Sequence, residues 1–186
     1  MIGNDIIDLK VARAERKSEN LRFIDKVFTH NEKTAICNAL DPELHLWVLW
    51  SMKEAAYKAH QRIYNIPRKL NPGSYECSYS CQANSGIVKI GSNEYPIKIM
   101  IKSQYIHSTT YSGELIQNTY INGKSSTNEL LSKFLTTLSI DKDEVELYKD
   151  PNAIPSICNK NSSKILPITV SHHGNFTAFA IPLINS

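Results

Sequence analysis

The sequence lacks the features that mark several large classes of protein. No apolar run in its 186 residues approaches the length of about 20 that a membrane-spanning helix needs. The N-terminal segment, MIGNDIIDLK, has neither the basic region nor the cleavage-site pattern of a secretory signal. Internal repeats and low-complexity tracts are also missing. Together these absences predict a cytoplasmic protein with no membrane segment.

Cysteine is scarce, with four residues scattered along the chain. A chain of this length can bury a core without covalent staples, so we expect reduced thiols rather than disulfides. Cys77, Cys81 and His107 are residue types that bind zinc, but their spacing matches no strong zinc pattern. The sequence therefore does not predict a zinc site.

A strong excess of charge is absent as well. The formal net charge is +3, with acidic residues mixed among the basic ones, so nucleic acid is not predicted as a partner. The apolar fraction of 41% fits one globular domain. Basic residues concentrate in one segment, at Lys10, Arg13, Arg16, Lys17 and Arg22. This basic segment is either a solvated helix face or a docking surface for an acidic partner.

Three helices are predicted from their N-terminal signals, which are two capping boxes and an aspartate followed by proline. Thr29 with Glu32 predicts a helix over residues 29–40, and Asp41 with Pro42 predicts a helix over 42–64. Ser126 with Glu129 predicts a helix over 127–138.

Strands are predicted on both sides of these helices. Residues 75–121 form short, often alternating segments broken by glycine, which is typical of antiparallel strands. Further strands are predicted over 1–8, 144–149, 164–171 and 175–182. Asp5 is expected near the end of the first strand, where the neighbouring Gly3 would let the backbone approach a ligand. The combination of strands and helices predicts an α+β fold.

The helix predicted over 42–64 carries two neighbouring stripes. The apolar stripe is Val48, Met52, Ala55, Ala59 and Ile63. The second stripe is Trp47, Ser51, Glu54, Lys58 and Arg62. Glu54 and Lys58 are therefore expected beside the buried face, where they could form an ordinary helix ion pair or point into a cleft.

Chemistry-bearing residues occur at three places, namely Asp5, Glu54 with its neighbouring lysines, and Ser171 with His172. Two carboxylates suit Mg²⁺, which prefers to share its coordination shell with water and substrate phosphates. Lysines close to such an ion would balance phosphate charge. The alternative is that these are a turn residue, a surface pair and a turn histidine, with no shared site.

The order of these motifs resembles that of the 4′-phosphopantetheinyl transferase superfamily. The matching segments are IGNDIID at 2–8, Phe28 and Thr29 with Glu32, WSMKEAAYKA at 50–59 and TVSH at 169–172. The resemblance covers residues 1 to about 66 and about 143 to 183. It implies one domain over 1–186, an antiparallel sheet packed with helices, and a strand-rich insertion at about 68–142.

The resemblance also implies an activity. Members transfer 4′-phosphopantetheine from coenzyme A to a serine of an acyl or peptidyl carrier protein, with Mg²⁺, and release 3′,5′-ADP. Such proteins serve fatty acid or polyketide biosynthesis. The implied roles are Asp5 and Glu54 as metal ligands, Glu54 and Lys58 as catalytic groups, and His172, Lys53 and Ser171 as contacts to coenzyme A.

Carrier proteins of this kind are acidic, so the resemblance gives the basic segment a partner. It also implies a homo-oligomer such as a trimer, in which His172 faces Asp5 and Glu54 of another subunit. Alternatively, the inserted strands would cover the cleft of a monomer. Two rival functions stay open, a paralogue that binds coenzyme A or a carrier protein without transfer, and a metal-dependent nuclease. The nuclease is disfavoured because three residues separate Glu54 from Lys58, unlike the usual E-x-K spacing.

Overall fold

A computed structural model describes residues 1–111, 113–160 and 165–182. Position 164, in a predicted strand, and position 183, at the end of the resemblance, lie outside these ranges. The helices are α1 Leu9–Glu15, α2 Leu21–Val27, α3 His30–Asn38, α4 Pro42–Tyr64 and α5 Thr127–Thr137. The strands are β1 Ile2–Asp8, β2 Tyr75–Ser80, β3 Ser85–Ile90, β4 Asn93–Ile101, β5 Tyr105–Tyr111, β6 Leu115–Ile121, β7 Val145–Lys149, β8 Pro155–Asn159, β9 Ile165–Pro167, β10 Thr169–His173 and β11 Phe176–Pro182.

The larger core lies between helix α4 and a five-stranded antiparallel sheet of order β1-β5-β4-β3-β2. Four members of the predicted apolar stripe of α4 are buried, whereas Ile63 near the helix end is 46% exposed. Burial of this stripe removes apolar surface from water, which is the main force holding the helix on the sheet.

A second core lies under helix α5. Strands β10, β11 and β6 form one antiparallel sheet, and the rings of Phe134 and Phe179 stack at 5.5 Å between the helix and strand β11. A third antiparallel sheet has the order β7-β8-β9. The α+β fold class predicted from the sequence is confirmed.

The capping predictions are confirmed at all three helices. Thr29 and Ser126 each accept a backbone hydrogen bond in a complete capping box, and the Asp41 side chain accepts from the Leu44 amide. Strand β8 lies in a stretch where no strand was predicted. It begins at Pro155, and its sequence PSICN shows no clear apolar–polar alternation.

The strands of residues 75–121 are confirmed, but they do not stand apart from the rest of the fold. Strand β5 pairs with β1 along its whole length, and β6 pairs with β11. The segment predicted as an insertion therefore supplies interior strands of the five-stranded sheet and an edge strand, β6, of the sheet β10-β11-β6. None of its described strand residues lines the two cavities around Glu54 and His172, so these strands do not cover that cleft.

Side-chain hydrogen bonds tie strand β1 to strand β10 where the two sheets meet. The Asn4 amide donates to Thr169 Oγ1 at 3.3 Å, and the Thr169 hydroxyl donates to Asn4 Oδ1 at 2.8 Å. Nearer the strand ends, the Asp8 amide donates to His173 Nδ1 at 2.9 Å. These contacts set residues near both chain ends side by side. In the described part of the chain, no helix is long and apolar enough to cross a membrane.

Candidate active site

Strand β1 and helix α4 approach each other closely at Gly3. A Cβ atom at this position would overlap the carbonyl oxygen of Ala55 and crowd the amide of Ala59. The glycine therefore makes room for the helix backbone, not for a ligand as its position near Asp5 suggested. Asp5 lies in the middle of strand β1 rather than at its end, which also corrects the predicted strand boundary.

The close approach places the Lys58 ammonium against strand β1. Lys58 Nζ donates to the Asn4 carbonyl oxygen at 2.8 Å and to Asp5 Oδ1 at 3.1 Å. The Lys58 side chain is 27% exposed and the Asp5 side chain is 12% exposed. The ion pair is thus half-buried and reaches solvent on one side.

The Asp5 carboxyl group holds its proton more tightly than an ordinary aspartate. Burial is the main cause, and it raises the pKa of Asp5 from 3.8 to about 7. The Lys58 charge lowers this pKa, whereas the charge of Glu54 raises it. The cost of burying the ionised carboxylate therefore outweighs the attraction of the Lys58 ammonium.

Strand β10 brings Ser171 and His172 to the same cleft. The Ser171 side chain is buried, and its Oγ has no hydrogen-bond partner within the described residues. His172 is exposed, and its Nδ1 lies 2.9 Å from Asn122 Nδ2 and 3.1 Å from Thr177 Oγ1. A buried hydroxyl that has no partner in the described part of the chain, next to an exposed imidazole, leaves two polar groups available to a ligand.

Two adjoining cavities connect these residues. One, of about 320 Å³, is lined by Asp5, Glu54, Lys58, Ser171 and His172 among others. The other, of about 270 Å³, shares Glu54, Lys58, Ser171 and His172 and continues along helix α4. All predicted site residues except Lys53 therefore lie around one cleft.

Three basic residues that sequence reasoning did not assign to the site also line this cleft. They are Arg62, Arg68 and Lys149. Arg62 Nη2 donates to the carbonyl oxygens of Pro155 and Ile168, while its buried Nε has no partner within the described part of the chain. Arg62 shares the helix stripe of Glu54 and Lys58, and this helical phase was the one signal that could have identified it.

Lys53 lies elsewhere, on the core side of α4. Its ammonium is 0% exposed and donates to the carbonyl oxygens of Val27, Pro72 and Tyr75 at 2.8 to 2.9 Å. Glu32 Oε2 lies 2.7 Å from the same nitrogen. This geometry contradicts the predicted contact to coenzyme A, because the ammonium has no surface left for a ligand.

In the structure His172 faces the acids of its own chain, whereas the resemblance implied that it faces those of another subunit. Asp5, Glu54 and His172 of one chain line the same cavity, because β10 lies against β1 within that chain. A second subunit is therefore not required to bring these three residues together, and the oligomeric state stays a prediction.

The two acids fit a divalent ion whose remaining ligands come from water and a substrate. No group of three or more His, Cys, Asp or Glu side chains that could hold a metal occurs among residues 1–111, 113–160 and 165–182. A closed protein site is therefore not indicated there. The Asp5 and Glu54 carboxyl groups line the same cavity, and a bound cation would favour their ionised forms. Mg²⁺ is commonly held by one or two carboxylates together with phosphate oxygens.

The other predicted features lie outside this cleft. All four cysteines are free thiols. His107 bonds Asn4 and Thr119 instead of joining the cysteines. In the basic segment, three residues form ion pairs at the surface, Arg13 with Asp41, Arg16 with Glu19 and Lys17 with Glu15. Such pairs fit a solvated surface, and the docking role stays a prediction.

Carboxylates and cations gathered in one cleft are the groups that phosphoryl transfer requires. The family model of the 4′-phosphopantetheinyl transferase superfamily matches residues 1–98, more than half of the chain. The chain belongs to this superfamily, and the predicted resemblance is confirmed.

One curated protein is similar to part of the chain. A holo-[acyl-carrier-protein] synthase of Protochlamydia amoebophila (strain UWE25) is 43% identical to the chain over 58 residues, which are 31% of this chain and 48% of that protein. The chain thus spans about half the length of that relative. No solved structure matches the chain.

Proposed function

We propose that the protein transfers 4′-phosphopantetheine from coenzyme A to a serine hydroxyl of an acyl or peptidyl carrier protein and releases 3′,5′-ADP. One observation carries the proposal. Asp5, Glu54 and Lys58 meet Ser171 and His172 around one cleft, in a chain whose family transfers this group.

The reaction forms a bond between the serine oxygen and the phosphorus on the pantetheine side of the pyrophosphate. The bond from that phosphorus to the bridging oxygen breaks, and the leaving group is 3′,5′-ADP. Such a displacement depends mainly on alignment and on neutralising the charge of the phosphate oxygens. The site therefore needs cations near the pyrophosphate and a base near the serine.

In this scheme Glu54 accepts the serine proton, and Lys58 stabilises or protonates the departing phosphate. Asp5 and Glu54 would hold Mg²⁺, which supplies positive charge to the pyrophosphate oxygens when bound. His172 and the buried Ser171 hydroxyl, which has no partner among the described residues, contact phosphate oxygens of coenzyme A. The cations Arg62, Arg68 and Lys149 extend the cleft with further positive charge.

The decisive experiment incubates the protein with several apo carrier proteins, coenzyme A and Mg²⁺ and measures the intact mass of each carrier. A mass gain equal to phosphopantetheine is expected, and Glu54→Gln should abolish it. Glu146→Gln is the matched control, because Glu146 is exposed on strand β7 but does not line the cleft, unlike Leu147 and Lys149 on the same strand. Coenzyme A binding without any mass gain would instead support the non-transferring paralogue.

Mixing two inactive variants tests whether one chain holds the whole site. If Asp5, Glu54 and His172 act within one chain, a mixture of Glu54→Gln and His172→Ala should stay inactive. A site shared between subunits would regain part of its activity in that mixture, because some interfaces would contain two intact halves. Recovery of activity would therefore support the site shared between subunits that the resemblance implied.

A further inference from the structure

The His172 ring is held at one nitrogen by two residues that the proposed chemistry does not use. Asn122 follows strand β6, and its backbone amide donates to the Asn175 carbonyl oxygen at 2.7 Å. Thr177 lies on strand β11 and is 0% exposed. Both side chains reach His172 Nδ1, at 2.9 Å from Asn122 Nδ2 and 3.1 Å from Thr177 Oγ1.

The hydrogen bonds among these three side chains determine which ring nitrogen carries the proton. The Thr177 hydroxyl donates to Asn122 Oδ1 at 2.6 Å, so the hydroxyl proton is engaged there. The side-chain NH₂ group of Asn122 can only donate, and its nitrogen, Nδ2, faces His172 Nδ1. Nδ1 must therefore accept, which leaves the proton of the neutral imidazole on Nε2.

Nε2 is the ring nitrogen that has no hydrogen-bond partner among the described residues, and the ring lines both cavities of the cleft. We infer that Asn122 and Thr177 are positioning residues that hold His172 as a neutral Nε2–H donor for a phosphate oxygen of the bound ligand. The identity of that ligand as coenzyme A or 3′,5′-ADP rests on the proposed function.

The other charged or titratable groups around His172 are consistent with a neutral histidine at this position. They are Asp5, Glu54, Tyr57, Lys58, Arg62, Arg68, Lys149 and His173. Four of these are lysine or arginine, so positive charge for a phosphate is already present without His172. A neutral imidazole adds a hydrogen bond of fixed direction, and this bond persists when the ring carries no charge.

The first test reads the ring directly in the free protein. The ¹⁵N shifts of His172 at a pH of about 8, above the ordinary histidine value of about 6.5, should show the Nε2–H tautomer. Asn122→Asp should move the proton to Nδ1, because a carboxylate there can only accept. Gln82→Glu makes the same amide-to-acid change in the exposed turn between β2 and β3 and should leave the shifts unaltered. An Nδ1–H tautomer in the wild type would overturn the inference.

The second test measures the affinity for 3′,5′-ADP, which binds without reacting, by calorimetry at the same pH. Asn122→Asp should weaken binding by about tenfold, the size expected for one hydrogen bond to a charged group. Thr177→Val should weaken it less, because Asn122 still donates to Nδ1. His172→Gln should keep most of the affinity, since glutamine places its amide nitrogen near the position of Nε2, whereas His172→Asn should not. Equal losses in these two variants would contradict a donor at Nε2.

These readouts separate the inference from the proposed function. If 3′,5′-ADP binds with the expected order of variants but no carrier protein gains mass, the positioning role stands and the transferase proposal fails. If the wild type shows the Nε2–H tautomer but does not bind 3′,5′-ADP, the assignment of a phosphate ligand to His172 is wrong.

Discussion

Two lysines of helix α4, five positions apart, lie in opposite surroundings. Lys53 is 0% exposed and is surrounded by three carbonyl oxygens and the Glu32 carboxylate. Lys58 is 27% exposed, and its described partners are the Asn4 carbonyl oxygen and Asp5. The first ion pair is closed to solvent, whereas the second opens into two cavities.

The difference distinguishes an ion pair that stabilises the fold from one that lies at the candidate active site. Glu32 accepts hydrogen bonds from the amides of Thr29 and Cys77 in addition to Lys53, so its charge is compensated from several sides. Asp5 is also buried, but its pKa is raised to about 7 mainly because burial outweighs the Lys58 charge. Incomplete compensation in a cleft marks a candidate functional site.

Lys53→Met should produce the largest effect on folding. The substitution would leave Glu32 as a buried charge without its counterion, and removing one partner of such a pair costs about 3 to 5 kcal/mol. Chemical denaturation should show this loss in the free energy of unfolding. The double variant Lys53→Met with Glu32→Gln should recover part of it. A loss below about 1 kcal/mol would show that the pair is not structural.

Lys58→Met should have the opposite outcome, with a large effect on activity and a small effect on stability. We expect the rate of carrier-protein modification to fall by about 100-fold, the usual contribution of a positioned acid or charge. The free energy of unfolding should change by less than about 1 kcal/mol, because this pair reaches solvent. Lys89→Met removes an exposed lysine paired with Glu94 and should alter neither quantity. A large loss of stability in Lys58→Met would contradict the comparison.

Asp5→Asn should change how stability depends on pH. The folded-state pKa of Asp5, about 7, lies above its ordinary value of 3.8, so folding takes up a proton between these values. The stabilisation from the protonated carboxyl group is lost as the pH rises through about 7. Between pH about 5 and about 8, the Tm of the wild type should fall by a few degrees more than that of Asp5→Asn.

Mg²⁺ provides the matching control for this prediction. At pH about 8 it should raise the Tm of the wild type but not that of Asp5→Asn, because a ligand that binds only the folded state stabilises it. Equal effects of Mg²⁺ on both proteins would argue against Asp5 as a metal ligand.

His107→Gln should give the smallest effect, which is a change in how the stability of the protein falls at acidic pH. Burial, with a further contribution from the Lys58 charge, lowers the pKa of His107 from 6.5 to about 4. The unfolded chain therefore binds a proton below 6.5 that the folded protein excludes, and stability is lost as the pH falls toward 4. Thermal melts should show a shallower loss for the variant, by about 2 °C. Identical pH slopes would show that His107 is not held neutral.

Much of the helical structure was predictable because its signals are local. Thr29 with Glu32, and Ser126 with Glu129, satisfy backbone amides within one helical turn, so four residues suffice to mark each helix start. The helical phase of α4 likewise placed Glu54 and Lys58 beside its buried face. Lys53 was misassigned because its partner Glu32 lies on another helix, which no periodicity within α4 can reveal.

By itself, the sequence determined the helix starts, the polar edge of α4 and the motifs that place the chain in its superfamily. Only the tertiary structure decided which of these residues share a cleft. The bond between Asn4 and Thr169 joins residues 165 positions apart, and it sets Asp5 and His172 around one cavity. Such contacts depend on how sheets and helices pack, since a short stretch of chain specifies its own hydrogen bonds but not its distant neighbours.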